Sequence, residues 1–159
     1  MLTQERLKEA IHYDPESGVF TRLISAGGQA AGSIAGSISI DGYRQIRIDG
    51  KHYRGARLAF LYMTGVAPLI VDHINRKRHD DRWENIREAD FSQNAANNKL
   101  SIRNKSGFKG VSWDKRLKRW RVRVNIDGRQ RLIGYFDNLE LAGLAAAEAR
   151  RESYGEFAL

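Results

Sequence analysis

The sequence of residues 42–50 is GYRQIRIDG, and it predicts a β-hairpin. Polar and apolar side chains alternate up to Ile48, which is the period of a strand with one buried face. The Asp49-Gly50 pair that follows is a preferred sequence for a two-residue type I′ turn. Tyr53 and Arg54 are then expected on the return strand. This part of the chain is therefore predicted to contain a small antiparallel sheet.

A second stretch with the same period, RWRVRVNI, covers residues 119–126. Its alternation predicts one apolar and one polar face. The Asp127-Gly128 pair indicates another hairpin turn, and strand signals also occur at about 110–113 and 130–136. The pattern predicts a three-stranded antiparallel sheet. The apolar face would carry Trp120, Val122, Val124 and Ile126, and the polar face Arg121, Arg123 and Asn125.

Helices are expected at three places. Residues 2–12 have helical spacing, with Thr3 as the N-cap and Pro15 beyond the end. Residues 57–64 read as a buried helix that Gly65 closes. Asn138 caps a helix that runs to about Tyr154 and covers the apolar face of the second sheet. The residues predicted to cover that face are Leu141, Leu144, Ala145 and Ala149.

These elements predict an α+β protein. Between the sheets lies a basic segment, KLSIRNKSG, where we place the domain boundary. The prediction is an N-terminal domain over residues 1–98, a basic linker over 99–105, and a C-terminal domain over 106–159.

Charge and composition narrow the choice of partner. Lysine and arginine number 27 against 19 acidic residues, which gives a net charge of +8. Cations that neutralise phosphates release condensed counterions, so this balance favours a polyanionic partner. Because the chain has no cysteine, disulfide frameworks and thiolate zinc sites are excluded. No apolar run approaches the roughly 20 residues that span a bilayer, so we expect a cytoplasmic protein with no membrane partner.

The residues whose side chains could carry out chemistry lie, along the chain, between the segments that form the two predicted sheets. Asp72 offers a hard oxygen ligand suited to Mg²⁺ or Mn²⁺, and His73 is a base whose ordinary pKa lies near neutrality. Asn85 and Asn94 offer amide oxygens, which would orient the histidine and complete a metal site. Phosphodiester hydrolysis needs such a set. The alternative is a solvated polar loop, in which Asp, His and Asn only form turns and caps.

The spacing of Asp72-His73, Asn85 and Asn94 resembles the HNH motif of phage and intron-type homing endonucleases, in the variant that has Asn in place of the last His. The resemblance covers about residues 42–98 and implies a ββα-metal core. It implies that Asp72 and Asn94 bind the divalent metal, that His73 activates water and that Asn85 orients His73. One position departs from the pattern. Relatives commonly read His-Arg-Leu where this chain has Ala56-Arg57-Leu58.

Residues 104–157 resemble the ethylene-response-factor (Apetala-type) DNA-binding domain. The matching blocks are SGFKGVSW at 106–113, Arg119-Trp120, LIGYF at 132–136 and Glu140-Leu-Ala142. In that family the sheet face enters the major groove. The resemblance implies DNA contacts by Lys109, Trp113, Arg121 and Arg123. Further phosphate contacts are expected from Arg129 and Arg131, and from Arg103 and Lys105 in the linker.

Together these features predict an endonuclease that hydrolyses a phosphodiester in double-stranded DNA with Mg²⁺ or Mn²⁺. One site per chain predicts nicking of one strand by a monomer, and the resemblance implies 5′-phosphate and 3′-hydroxyl ends. A phage-encoded protein of this kind would act in the host cell cytoplasm. Ala56 keeps open the alternative of a DNA-binding protein or regulator on an HNH scaffold. RNA binding through the basic linker lacks a stacking motif.

Overall fold

The computed structural model describes residues 2–98, 100–126 and 128–158. Helices and strands are both present, so the predicted α+β class is confirmed. The chain divides into two compact units, one ending at Glu88 and one beginning at Ala89.

The first unit combines short antiparallel sheets with two helices. Its sheets pair β1 with β2, β3 with β4 and β5, and β6 with β7. A 3₁₀ turn at Trp83–Asn85 precedes the last strand. The helices and strands are α1 (Gln4–Ala10), β1 (Ile11–Asp14), β2 (Val19–Arg22), β3 (Ser37–Ile38), β4 (Arg44–Ile48), β5 (Lys51–Arg54), α2 (Gly55–Thr64), β6 (Val71–His73) and β7 (Ile86–Glu88).

The hairpin predicted at residues 42–54 is confirmed. Strands β4 and β5 are antiparallel, and Ile48 pairs with Lys51, which leaves a two-residue loop. Asp49 and Gly50 both have positive φ, 47° and 79°. A type I′ turn requires this conformation at both positions, so the Asp-Gly pair fits its place.

The first helix is shorter than predicted. Thr3 is its N-cap, with its hydroxyl accepting from the Arg6 N–H at 3.2 Å. The helix ends at Ala10 rather than continuing to residue 12, because Ile11 and Tyr13 are buried on strand β1. Ile11 fits the helical spacing of apolar residues, but it forms part of strand β1. The tertiary pairing of β1 with β2 here overrides the local preference for helix. Helix α2 ends at Gly65 as predicted, with φ of 78° at that glycine.

An apolar core joins both helices of the first unit to its strands. It also includes Ala35, from the segment before β3, and Ala56, in the first turn of α2. The core residues with no measurable exposure are Leu7, Ile11, Phe20, Ala35, Ile46 and Ala59.

The second unit contains the predicted three-stranded antiparallel sheet with one packed helix. The strand order is β10-β9-β8, so the long strand over residues 119–126 is central. Asn138 caps the last helix, accepting from the Leu141 N–H at 3.0 Å. The first residue of the predicted Asp127-Gly128 turn lies outside the described residues. The elements are α3 (Phe91–Asn97), β8 (Val111–Asp114), β9 (Arg119–Ile126), β10 (Arg129–Phe136) and α4 (Leu139–Tyr154).

Helix α4 covers the sheet with a different face from the predicted one. Leu141 and Leu144 are 57% and 67% exposed, whereas Ala142 and Ala146 are buried against Val122 and Val124. Small side chains let the helix backbone approach the sheet closely, and this gain outweighs the larger apolar area of the leucines. Of the predicted covering residues, Ala149 does pack against this core.

The predicted linker over 99–105 lies within the second unit, and its first residue is outside the described part of the chain. From Ser101 to Gly107 the backbone forms turns. The Asn104 side chain organises one of them by accepting from the N–H groups of Ser106 and Gly107 at 3.0 and 2.8 Å. The division into domains at this segment stays a prediction.

Among the described residues, the structure contains no helix with the length and apolar character that crossing a membrane requires.

Candidate active site

The candidate site of the first unit is built on the β6–β7 hairpin and the loop between its strands. Asp72 and His73 end strand β6, and both are buried, at 4% and 5% exposure. Their cross-strand partners are Arg87 and Ile86. Successive residues of a strand point to opposite faces, so Asp72 and His73 have different surroundings.

The imidazole of His73 is paired with a carboxylate that the sequence analysis did not single out. Nε2 of His73 lies 3.0 Å from Oδ1 of Asp81, and their side chains are 4% and 1% exposed. The roles of the two groups depend on the tautomer of the ring. An ionised carboxylate can only accept, so the tautomer that suits this contact carries its proton on Nε2.

Asp81 is held from several sides. The Tyr13 hydroxyl donates to its backbone carbonyl at 2.7 Å, and Arg44 Nε lies 3.5 Å from its Oδ2 in an ion pair. Gly55 faces the same oxygen, and a Cβ at Gly55 would lie 2.2 Å from it. Burial, together with the negative charge of Asp81, raises the pKa of Tyr13, so this phenol is a neutral donor. The carboxylate of Asp81 thus lies between His73, Arg44 and Gly55.

Asn85 organises the loop rather than the imidazole. Its Oδ1 accepts from the Asn75 N–H at 3.0 Å, and its Nδ2 donates to the Asp80 carbonyl at 2.7 Å. A backbone hydrogen bond from the Ile74 N–H to the Asn85 carbonyl closes the same loop. The resemblance implied that Asn85 orients His73, whereas in the structure Asp81 contacts the ring and Asn85 fixes the backbone between the two.

Asp80 gives the loop a second anchor. It accepts from Arg82 Nε at 2.8 Å and from Asn75 Nδ2 at 2.7 Å. The hydrogen bond from Arg82, and then the one from Asn75, lower the pKa of Asp80 to about 2. The loop therefore depends on a carboxylate that remains ionised well into the acid range.

Asp72, the predicted carboxylate ligand, is engaged by an arginine. Arg87 Nε donates to its Oδ2 at 2.9 Å, and the two side chains are 5% and 10% exposed. The ion pair follows from the strand register, which sets the two residues opposite each other. The ion pair fixes the orientation of the Asp72 carboxylate. Asp72 directly precedes His73 in the chain.

The predicted second ligand, Asn94, belongs to the second unit and lies on helix α3. Asp90 begins that helix with a capping box that also involves Gln93. Within the described residues, no group of three or more His, Cys, Asp or Glu side chains is arranged to hold a metal ion. The pairing of Asn94 with Asp72 on a metal stays a prediction.

Ala56, where the resemblance led us to expect histidine, is 4% exposed and belongs to the apolar core. Its methyl group packs in the first turn of α2, directly after Gly55. Position 56 is therefore a buried core position. An imidazole there would need space that the close-packed core does not provide.

The predicted DNA contacts of the second unit fall on two faces of its sheet. Arg121 and Arg123 lie opposite Tyr135 and Leu132 on the face away from the buried valines. Arg121 also approaches Ser112 Oγ at 3.4 Å, and Arg123 donates to Gln130 Oε1 at 3.2 Å. These two guanidiniums share one open face.

The other three predicted sheet contacts have the opposite orientation. Trp113 pairs with Trp120, and Arg129 and Arg131 pair with Ile126 and Val124, which are residues of the helix-covered side. Directly paired residues share a face. Arg121 and Arg123 therefore lie on one face of the sheet, whereas Trp113, Arg129 and Arg131 lie on the other. The alternation within β9 could not predict this, because it does not determine the register of the neighbouring strands.

The remaining predicted contacts lie before the sheet. Lys109 donates through Nζ to the Ala96 carbonyl at 3.0 Å, so its ammonium forms a hydrogen bond within the second unit. Arg103 and Lys105 are exposed in the turns that precede β8.

The buried histidine, the loop-closing asparagine and the hairpin that carries them lie in one segment of the first unit, and comparison with known proteins assigns that segment to a family. The family model described as HNH endonuclease matches residues 56–96. The chain is also 36% identical over 88 residues to Protein 3.8 of Escherichia phage T7, an alignment that covers 55% of this chain and 72% of the relative. The chain belongs to the family of that phage protein and carries an HNH nuclease domain.

No solved structure matches the chain. The comparisons give no support for the ethylene-response-factor-like domain predicted at the C-terminus. What the structure establishes there is the arrangement of three strands and a helix.

Proposed function

We propose that the protein is a metal-dependent endonuclease that hydrolyses a phosphodiester of double-stranded DNA and nicks one strand, with His73 as general base and Asp81 as its positioning residue. The observation that carries the proposal is the 3.0 Å contact between His73 Nε2 and Asp81 Oδ1, inside the segment that matches the HNH family. HNH nucleases as a class act on DNA with divalent metal ions, which agrees with the proposal.

The proposed chemical step uses the tautomer that Asp81 selects. With the proton on Nε2, Nδ1 of His73 accepts a proton from a water molecule as that water attacks phosphorus. A P–O bond forms to the water oxygen, and the bond from phosphorus to the 3′ oxygen breaks. The leaving oxygen takes a proton from solvent, and the ends are a 5′-phosphate and a 3′-hydroxyl. Asp81 stabilises the positive charge that His73 acquires.

The residues present fit a sparse metal site. Mg²⁺ commonly keeps several waters and uses one or two carboxylates together with substrate phosphates. Asp72 supplies one buried carboxylate whose orientation Arg87 fixes. A divalent ion held by Asp72, water and a substrate phosphate would polarise that phosphate and stabilise the leaving oxygen. Mg²⁺ and Mn²⁺ both suit such oxygen ligands.

The second unit is proposed to hold the DNA through the open face of its sheet. Arg121 and Arg123 project from the central strand β9 on that face. Arginine pairs with phosphate and reads guanine bidentately in the major groove. Arg129 and Arg131 would reach only a phosphate on the other side of the sheet.

A second candidate function is a DNA-binding protein or regulator that uses the HNH scaffold without cutting. Arg87 already neutralises the Asp72 carboxylate at 2.9 Å, which favours this function. Ala56 also keeps it open, because the resemblance led us to expect histidine at that position.

Conversion of supercoiled plasmid to the open circular form separates the two functions. We expect nicking with Mg²⁺ or Mn²⁺ and none with EDTA. His12→Ala is the matched control for a His73→Ala variant in this assay, because it removes an exposed imidazole from strand β1 of the same unit. If the protein binds plasmid but leaves it supercoiled with either metal, the regulator is the correct assignment.

A further inference from the structure

Two arginines share one aromatic ring in the first unit. The Cζ atom of Arg54, the last residue of β5, lies 3.9 Å from the ring centroid of Tyr43. The Cζ atom of Arg78, in the loop after His73, lies 5.1 Å from the same centroid. Three separate segments of the chain thus bring two guanidiniums to one ring. We call these residues, with Asp41, the Tyr43 cluster.

Asp41 connects the two arginines. Its Oδ2 accepts from Arg54 at 2.9 Å, and its backbone carbonyl accepts from Arg78 at 3.1 Å. The hydrogen bond from the Ser39 hydroxyl, and then the charge of Arg54, lower the pKa of Asp41, so its carboxylate is ionised at neutral pH. One carboxylate against two guanidiniums leaves the Tyr43 cluster with an excess of one positive charge.

The cluster is open to solvent. The Arg54 side chain is 43% exposed and Arg78 is also exposed. Two like charges over one ring repel each other, and an anion between them would lower that cost. A guanidinium that stacks through its face still presents N–H groups at its edge, in a geometry that matches phosphate oxygens. Stacking also fixes the side chain, which reduces the entropy lost when the anion binds.

The position of the cluster indicates which anion it serves. The ring centroid of Tyr43 lies 5.9 Å from that of His73, the proposed base. We propose that Arg54 and Arg78 bind a backbone phosphate of the DNA strand that is cut, next to the phosphate that is hydrolysed, with Tyr43 as the platform that positions both. The location beside the reaction rests on the proposed function, whereas the phosphate site itself does not.

DNA binding by the full chain in EDTA tests this site without any cutting. A short DNA duplex with a fluorescent label is titrated at several salt concentrations. Each lost phosphate contact reduces the slope of log K against log salt by about 0.9. Because both arginines are proposed to bind the same phosphate, the Arg54→Ala, Arg78→Ala double variant should lose about 0.9 of slope, and each single variant should lose no more than that. Arg6→Ala is the matched control. It removes the same charge from α1, where the guanidinium pairs with Asp49 and Glu9, and should leave the slope unchanged.

Two further variants separate charge from stacking. Arg54→Lys keeps the charge and should retain the slope, with weaker binding because the planar fork is lost. Tyr43→Leu removes the platform and should weaken binding while thermal unfolding reports that the unit is folded. An unchanged slope in the Arg54→Ala, Arg78→Ala double variant would overturn the site, as would an equal loss of slope in Arg6→Ala.

The outcomes distinguish this inference from the proposed function. If the double variant nicks DNA and its salt slope is normal, the phosphate site is contradicted and the endonuclease activity is supported. If the double variant has a reduced slope and the protein never nicks DNA, the phosphate site is supported and the endonuclease activity is contradicted.

Discussion

His73 and Asp81 form a buried pair in which Nε2 of the imidazole lies 3.0 Å from Oδ1 of the carboxylate. The two residues sit at opposite ends of a loop that Asn85 closes through the backbone groups of Asn75 and Asp80. The geometry of the pair is therefore set by the fold of the loop and not by two flexible side chains meeting on a surface.

The first prediction concerns this pair. General-base catalysis contributes about 10²–10⁴-fold, so His73→Ala should slow nicking by that factor while DNA binding in EDTA is retained. Asp81→Asn should also lower kcat, because the amide can donate to Nε2 and favour the wrong tautomer. Asp49→Asn, an exposed change on the β4–β5 turn, is the control. Full activity in His73→Ala means that another group is the base.

The second prediction concerns Asp72. Asp72→Asn should abolish metal-dependent nicking, because it removes the carboxylate from the proposed ligand set. Asp72→Ala is a poorer test, since breaking a buried ion pair costs up to about 3–5 kcal/mol and would confound activity with stability. The measurement is plasmid nicking across a Mg²⁺ titration, beside a thermal unfolding curve. Undiminished nicking by folded Asp72→Asn would remove Asp72 from the metal site.

The third prediction concerns Ala56, which is buried in the core. Ala56→His should destabilise the protein by about 1–3 kcal/mol, because the added ring overpacks the first turn of α2. We expect a lower Tm and no gain in nicking rate. A faster enzyme of unchanged Tm would instead show that alanine replaced a functional imidazole.

The fourth prediction compares the two faces of the second sheet. The double substitution of Arg121 and Arg123 by alanine should reduce the salt slope of DNA binding by about 1.8. The same substitution at Arg129 and Arg131 removes equal charge from the opposite face and should change the slope much less. Equal losses from both faces would mean that the sheet attracts DNA by its net charge and not by one reading surface.

The fifth prediction is a pH dependence. The folded pKa of Asp80, about 2, lies below the ordinary value, so the stability that it contributes is present above pH 4 and is lost as the pH falls toward 2. Asp80→Asn should lower the free energy of unfolding at pH 7, and the difference from wild type should shrink between pH 4 and pH 2. Glu84→Gln changes the exposed partner of the same Arg82 and is the control. A difference that stays constant over this pH range contradicts the assignment.

The sequence was most informative where a local pattern determines local structure. The alternation in 42–48 and 119–126, the Asp49-Gly50 turn and the caps at Thr3 and Asn138 all predicted what the structure contains. Each depends on residues a few positions apart, so tertiary packing had little opportunity to override it.

Features that depend on packing were harder to predict. The spacing of α4 did not indicate that its alanines rather than Leu141 and Leu144 would face the sheet. Asp80 and Asp81 are adjacent and chemically identical, yet one anchors the loop and the other holds His73. Only the folded path of the loop distinguishes them. The motif spacing located His73 and Asn85 but assigned the orienting role to Asn85.

Gly55 adds a consequence that reaches beyond the motif. Its missing side chain provides the space that Oδ2 of Asp81 occupies, since a Cβ there would lie 2.2 Å from that oxygen. Conversion of this residue to alanine adds one methyl group at a helix start, with no change in charge. It would nonetheless displace the carboxylate from His73. Under the proposed mechanism, a mutational survey would therefore record a loss of activity at a glycine that lies outside the sequence motif.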